Sequence, residues 1–167
     1  TMTVTLPGNE PLAAFGWTGA YYNNTGLSGG VAATRQDGPV LAFAWPGAPA
    51  AGVNADYFSV RWTMTLESAG GAYQFNTRHD DGARLYIDGA LVLDTWWDQM
   101  PASYSVSRTL SAGAHALAYD YYHTYAGAVA QLPLRDRPTR RRGDPRPGGR
   151  DLRQRGNHAA HDIEVEL

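Results

Sequence analysis

Apolar side chains recur with a period of two along most of the first 132 residues of this chain. The clearest run spans residues 58–67, and its apolar positions are Phe58, Val60, Trp62, Met64 and Leu66. Because successive side chains on a strand point to opposite faces, this alternation predicts a strand with one buried face and one solvent-exposed face. No stretch of the chain shows convincing helical periodicity.

Turn signals divide the rest of this region into further short strands. Asp88-Gly89 stands between two apolar runs and predicts a two-residue hairpin turn. The Gly-containing segments 69–71 and 111–113 also predict turns, each separating two strands. The remaining predicted strands are 17–22, 40–45, 73–77, 84–87, 91–93, 104–107, 114–122 and 128–132. Many short strands of this kind predict an all-β fold, an antiparallel, jelly-roll-like β-sandwich that forms a single domain over residues 12–132.

The last 35 residues differ in composition from the predicted sandwich. Residues 133–167 contain nine Arg, six Asp or Glu and no aromatic residue, so they cannot bury enough apolar surface to fold, and we predict a disordered tail. Such Arg, Pro and Gly richness is also what a GC-rich reading frame translated out of register produces. Nucleic-acid binding is not expected, because acids interleave the arginines and no aromatic ring is available to stack on a base.

Other sequence features limit the classes of protein. The 167 residues include no Cys, which excludes disulfides and thiolate metal sites. No apolar run is long enough to predict a membrane span. No signal peptide is visible, and a chain that starts at Thr1 is expected to be part of a longer, multidomain protein.

Two carboxylates stand side by side at a predicted strand end, in the sequence His79-Asp80-Asp81-Gly82. Neighbouring strand residues point to opposite faces, so two adjacent aspartates can share a partner only if the backbone between them is unusual. Asp before Gly is also common in turns, where the carboxylate bonds its own backbone. The sequence leaves both interpretations open, a metal site or a structural turn. We interpret His79 as a solvated loop residue and not as an acid–base catalyst.

Five separated motifs of the chain resemble one known family. They are GAYYNN at 19–24, FSVRW at 58–62, HDDGARLYIDG at 79–89, AGAH at 112–115 and YDYY at 119–122. In this order they resemble the protective-antigen-type domain, the PA-fourteen family, which occurs in flocculin-type adhesins, glycosidases and bacterial toxins. The resemblance implies a β-sandwich, in agreement with the strand pattern.

The resemblance also implies a function for the paired aspartates. In the lectin members of the family, two such aspartates are joined by a cis peptide and bind one calcium ion, and sugar hydroxyls complete its coordination. The implied metal ligands here are Asp80 and Asp81, the implied cofactor is calcium, and the implied partners are glycans. The chain would then be a lectin or adhesin module of a larger extracellular or cell-surface protein.

One departure from the family affects the metal site. The lectins use a third side-chain ligand, usually Asn, in the loop before the last strand, whereas residues 122–127 contain no Asn, Asp or Glu. Backbone carbonyls, water, the Thr124 hydroxyl or Asp98 could take its place. Imidazole, which His123 offers, suits zinc or copper better than calcium.

Four further residues are candidates for sugar contact beside Asp80 and Asp81. They are Trp97, Asp98, His123 and Tyr125, which lie in the two loops near the predicted pocket. An exposed indole such as Trp97 could stack on a sugar ring, although it could equally close the end of the sandwich. No hydrolase, phosphate-binding or metalloprotease motif is present, so we do not expect an enzyme. The alternative function is a structural or protein-interaction module without a glycan ligand.

Overall fold

The computed structural model describes residues 16–135, which form nine β-strands and no helix. The strands are β1 (Thr18–Tyr22), β2 (Ala33–Gln36), β3 (Leu41–Trp45), β4 (Phe58–Asp80), β5 (Ala83–Ile87), β6 (Ala90–Thr95), β7 (Ala102–His123), β8 (Ala128–Leu132) and β9 (Leu134–Arg135). Every pairing is antiparallel. The predicted all-β antiparallel sandwich is confirmed. The predicted disordered tail lies outside the described residues except at its start, where β9 pairs with β4.

Two long strands organise the sandwich, and they correct the sequence prediction. The pairing of β4 with β7 runs from Phe58 opposite His123 to His79 opposite Ala102. The turns predicted at 69–71 and 111–113 are therefore wrong, because both strands continue through these segments. Gly70, Gly71 and Gly113 have φ values of 84°, 117° and 119°. Only glycine adopts such values readily, so these positions let both strands of the ribbon bend at the same level.

The bend folds the β4–β7 ribbon over, so that each long strand serves both layers. The first half of β4 pairs with β1, and the second half of β7 pairs with β5. The second half of β4 pairs with β8 and β9, and β8 also pairs with β3. The C-terminal ends of β4 and β7, which lie at opposite ends of the ribbon, consequently meet at one end of the sandwich. We call this the site end (Asp80, Asp81 and His123), and the opposite end the bend end (Gly70, Gly71 and Gly113).

The core between the layers is aromatic and reaches the site end. Phe58, Val60 and Trp62 are fully buried, as their alternation predicts, while Met64 and Leu66 are only partly buried. The rings of four residues lie within 6.4 Å of the Trp62 ring at near-parallel or tilted angles, namely Phe43, Trp45, Tyr119 and Tyr121. Burying each such side chain stabilises the fold by roughly 1.5–3 kcal/mol, so the residues of the site end are attached to a well-stabilised core.

The predicted Asp-Gly hairpin is confirmed between β5 and β6. Asp88 and Gly89 have φ values of 50° and 79°, which is the backbone of the tight hairpin turn that Asp-Gly favours. The Asp88 carboxylate accepts hydrogen bonds from the backbone N–H of Ala116 (2.8 Å) and from Nδ1 of His115 (2.6 Å). These bonds fix the hairpin turn to β7.

Candidate metal and ligand site

A cleft of about 730 Å³ opens at the site end. It lies between the ends of β3 and β4, the loop that joins β6 to β7, and the loop that joins β7 to β8. Its lining includes Trp45, Asp80, Asp81, Asp98, Gln99, Met100, Thr124 and Tyr125. This volume is within the usual range of small-ligand pockets. No Lys or Arg is among the residues of the described chain that line the cleft, so its charge is negative.

The peptide bond between Asp80 and Asp81 is cis, as the resemblance implied. Asp80 is the last residue of β4 and pairs with Val129 of β8. Gly82 follows, and its backbone passes directly beneath the ring of Tyr122: a Cβ at this position would lie 2.2 Å from Cε1 of that ring. Glycine at 82 is therefore required by the close approach of a side chain.

The Asp81 carboxylate is buried and fixes both loops of the cleft. Its Oδ2 accepts hydrogen bonds from the backbone N–H and the hydroxyl of Thr124, both at 2.7 Å. Its Oδ1 accepts a weaker bond from the backbone N–H of Gln99 at 3.3 Å. The turn interpretation, in which the carboxylate bonds its own backbone, is therefore wrong for Asp81, because its carboxylate bonds the distant residues Thr124 and Gln99 whether or not it also binds a metal.

His79 supports Asp81 from within the protein, so our interpretation of it as a solvated loop residue is wrong. The side chain is fully buried, and its Nδ1 lies 2.7 Å from the Asp81 carbonyl oxygen. Burial lowers the pKa of His79. Tyr104 stacks on the imidazole and donates a hydrogen bond to Oε1 of Gln99 (2.5 Å).

Asp80 differs from Asp81 in its exposure and in its hydrogen bonding. Its side chain is partly exposed in the cleft, and no residue of the described chain donates a hydrogen bond to its carboxylate. Its backbone carbonyl accepts a short hydrogen bond from the Tyr121 hydroxyl. Burial and the neighbouring Asp81 charge raise the pKa of Asp80, and His123 partly opposes this. These surroundings disfavour the ionised form of Asp80, and a bound cation would compensate its negative charge.

His123 reaches the aspartates from the protein interior. It is fully buried, so the prediction that it contacts sugar is wrong. Nδ1 of His123 lies 3.5 Å from Oδ2 of Asp81, and Nε2 lies 3.8 Å from Oδ1 of Asp56. Neither nitrogen forms a hydrogen bond within the described residues. One potential ligand atom from each of Asp80, Asp81 and His123 lies within 4.8 Å of the others.

The three other predicted sugar-contact residues are placed differently from one another. Tyr125 lines the cleft and is 67% exposed. Asp98 also lines the cleft, and its Oδ1 accepts a hydrogen bond from the Tyr122 hydroxyl (2.7 Å). Trp97 is half exposed but lies outside the cleft lining, with its ring edge-on to Tyr104. Sugar contact by these residues stays a prediction, and Tyr125 has the best position for it.

The residues present fit a calcium ion in part. Calcium prefers six to eight hard oxygen ligands, and the Asp80 carboxylate is free to supply one or two of them. Asp81 can contribute through oxygens that already accept hydrogen bonds. Asp98 is the third carboxylate among the cleft-lining residues described. Sequence reasoning missed Gln99 and Asp56 as supporting residues, because only the fold brings them to the aspartates.

Comparison with known proteins shows that the chain belongs to the PA14 domain family, whose family model matches residues 14–130. The predicted family resemblance is confirmed. Within the described residues, no helix could cross a lipid bilayer.

The chain is similar to proteins of two kinds, anti-sigma factors and an adhesin. The chain is 37% identical over 120 residues to the anti-sigma-I factor RsgI3 of Acetivibrio thermocellus, which covers 70% of this chain. A solved anti-sigma factor domain-containing protein is 36% identical, with a TM-score of 0.65 over 71% of this chain. The PA14 sugar-binding domain of an RTX adhesin is 23% identical, with a TM-score of 0.57 over 72% of this chain and 88% of its own length.

These relatives are mostly longer than the matched region. The chain spans 18% of RsgI3 and 42% of the solved anti-sigma factor chain. The names of the three relatives describe no catalytic activity, and only the adhesin domain is named as sugar-binding.

Proposed function

We propose that this domain binds carbohydrate through a calcium ion held by Asp80 and Asp81. The observation that carries the proposal is the pairing of an unsatisfied carboxylate, Asp80, with a buried and rigidly held one, Asp81, at the base of an open, negatively charged cleft. Calcium accepts vicinal hydroxyls as ligands without a proton transfer, which suits the recognition of neutral sugars.

The residues of the cleft have separate functions in this proposal. Thr124 and Gln99 orient Asp81, so the loops that carry them and the metal ligand are held together. The exposed ring of Tyr125 is available to stack on the C–H face of a sugar. The name of the RTX adhesin relative, a sugar-binding domain of the same fold, supports this assignment. The domain would be non-catalytic.

The setting of the domain is part of the proposal. The adhesin relative favours an extracellular or cell-surface module of a larger protein. The anti-sigma factor relatives favour a parent protein in which glycan binding serves as a signal. Both settings use the same ligand-binding cleft.

Calcium titration by calorimetry, followed by a glycan array, tests the proposal. We expect one saturable calcium site in the 167-residue chain, lost in Asp80→Asn and retained in Asp94→Asn. Asp94 is a suitable control because it is an exposed carboxylate that pairs with Arg84 on the surface (2.9 Å). Glycan binding that persists in Asp80→Asn, or in excess chelator, would contradict the proposal.

The alternative function is a protein-interaction module without a glycan ligand. The observation in its favour is the exposure of large apolar side chains around the cleft, with Trp97 50% and Met100 82% exposed. A protein partner recognised through these side chains would bind in the absence of calcium. Its binding would weaken in Trp97→Ser or Met100→Ser and would be unaffected by Asp80→Asn.

A further inference from the structure

His123 is a polar side chain of the site end whose hydrogen-bonding capacity is unsatisfied. It is fully buried, yet neither of its ring nitrogens forms a hydrogen bond within the described residues. A buried nitrogen without a partner destabilises the fold, so such a group needs a physical explanation. Both nitrogens of His123 instead face carboxylates, at distances too long for good hydrogen bonds.

The distance between His123 and Asp81 matches the spacing of two ligands on a small metal ion. Zinc binds imidazole nitrogen and carboxylate oxygen at about 2.0–2.2 Å, which places two tetrahedral ligands about 3.4 Å apart. Nδ1 of His123 and Oδ2 of Asp81 are 3.5 Å apart. Asp80, whose carboxylate receives no hydrogen bond from the described residues, can rotate to close the remaining gap within the 4.8 Å cluster.

The other nitrogen of His123 faces a carboxylate on an anchored loop. Nε2 lies 3.8 Å from Oδ1 of Asp56. The loop is fixed on both sides of Asp56: Tyr57 donates its N–H to the Thr124 carbonyl (2.8 Å), and Asn54 donates its N–H to Oδ1 of Asn23 (2.7 Å). A carboxylate beside the second nitrogen is the usual way in which a metal-binding histidine is held in the correct tautomer.

We propose that Asp80, Asp81 and His123 form a three-ligand site for a zinc-class divalent cation, that Asp56 positions His123, and that this cation displaces calcium. The inference rests on the proposed function only in that both use the two aspartates. Imidazole is a poor ligand for calcium and a good one for zinc, copper, cobalt and nickel. The buried His123 therefore changes which ion the aspartate pair binds most tightly.

The identity of the ion has a consequence for ligand binding. Three protein ligands leave a zinc-class ion with one open position, whereas calcium keeps several. A zinc-class ion in this site would bind a single oxygen of a ligand and could not chelate two vicinal hydroxyls in the same way. We therefore expect zinc to compete with calcium for the site and to reduce calcium-dependent glycan binding.

The test compares two histidines of the same strand. The 167-residue protein and its His123→Asn and His115→Asn variants are titrated with Zn²⁺ and with Ca²⁺ by calorimetry, and with Co²⁺ by visible absorption. His115 is the matched control, because it is also buried on β7 but lies at the bend end with a hydrogen-bonded partner. We expect His123→Asn to weaken zinc-class binding at least 100-fold and not to weaken calcium binding, because an amide oxygen is a ligand that calcium accepts. His115→Asn should change neither affinity.

A second variant keeps the proposal testable if His123→Asn does not fold. Asp56 is half exposed, so Asp56→Asn should fold normally, and we expect a 10- to 100-fold loss of zinc affinity. Zinc binding that is equally tight in the wild type, His123→Asn and Asp56→Asn would overturn the proposal. So would a wild-type site that binds calcium more tightly than zinc, a result that leaves the proposed calcium function intact. If the wild-type protein binds neither zinc nor calcium, both proposals are overturned.

Discussion

The two buried histidines of β7 lie at opposite ends of the sandwich and differ in how well they are satisfied. At the bend end, Nδ1 of His115 lies 2.6 Å from Asp88, and its Nε2 lies 3.1 Å from the Ser111 carbonyl. At the site end, His123 lies 3.5 Å and 3.8 Å from two carboxylates and forms no hydrogen bond within the described residues. The contacts of His115 thus stabilise the fold. The nitrogens of His123 remain free to bind, as expected of a residue in a ligand site.

The carboxylates show the same contrast. Asp37, at the edge of the core, accepts hydrogen bonds from the Tyr21 hydroxyl (2.7 Å), the Trp62 indole (2.6 Å) and the Arg35 guanidinium. Asp80 accepts none from the described residues at its carboxylate and lies beside a second negative charge. Where this protein uses an acid for structure, it provides donors for it. Asp37 therefore stabilises the fold, whereas the Asp80 carboxylate is available to bind a ligand.

The largest difference between the two ends should appear in the free energy of unfolding when alanine replaces a glycine at each end. Gly82→Ala would place a Cβ against the Tyr122 ring, which packs on Trp96 and is held by Asp98. We expect a loss of about 3 kcal/mol in the free energy of unfolding, measured in urea, because the ring would have to shift away from Trp96 and Asp98.

At Gly113, in the bend end, glycine is required by backbone conformation alone. No atom lies within 4 Å of a Cβ at Gly113, but its φ of 119° is strained for alanine, so Gly113→Ala should destabilise by about 1–2 kcal/mol. Gly30→Ala has neither problem and should change stability by less than about 0.5 kcal/mol. A larger effect at Gly113 than at Gly82 would contradict this comparison.

Replacing each of the two neighbouring aspartates with alanine should have different effects on stability in metal-free buffer. Asp81→Ala removes the acceptor of the Thr124 and Gln99 N–H groups and should destabilise the domain by about 2 kcal/mol. Asp80→Ala should leave the urea midpoint unchanged or raise it. The raised pKa of Asp80 means that its ionised form is less favourable in the folded state than in the unfolded state, so its removal relieves the fold. Equal destabilisation by the two variants would show that Asp80 is also structural.

The smallest predicted effect concerns the pH dependence of the bend end. The hydrogen bond to Asp88 raises the pKa of His115, and the bonds from His115 and Ala116 lower the pKa of Asp88. The His115 contribution to stability is fully present below its unfolded pKa of about 6.5 and is lost as the pH rises through its folded pKa. The Asp88 contribution is present above about pH 3.9 and is lost as the pH falls through its folded pKa. The pair therefore stabilises the fold most between these two values.

Titration of the His115 ring protons by NMR measures this effect. Asp88→Asn keeps a residue that tolerates the positive φ of the turn but removes the charge. We expect the pKa of His115 to fall towards its usual value in this variant. A pKa that does not change would mean that the Ser111 carbonyl, and not Asp88, is the main cause of the shift.

The sequence predicts local features of this protein better than those that depend on its tertiary structure. The alternation of residues 58–67 and the Asp88-Gly89 turn depend on neighbouring residues only, and both are confirmed. The glycines at 70 and 113 resemble turn signals, but a strand paired along its whole length can use glycine to bend without ending. His123 ends a run of buried residues on both faces of β7, so alternation gives no indication of its burial.

The folded β4–β7 ribbon also sets an order in which the site can form. His79 and Ala102 are much closer along the chain than Phe58 and His123, although both pairs belong to one ladder. The entropy of loop closure grows with the separation of the paired residues, so the ladder closes most readily from His79 towards the bend and reaches His123 last. The strand that carries Asp80 is thus paired before His123 arrives, and Asp81 is oriented only when Thr124 arrives with the histidine. A complete three-residue site would then indicate that the whole domain has folded.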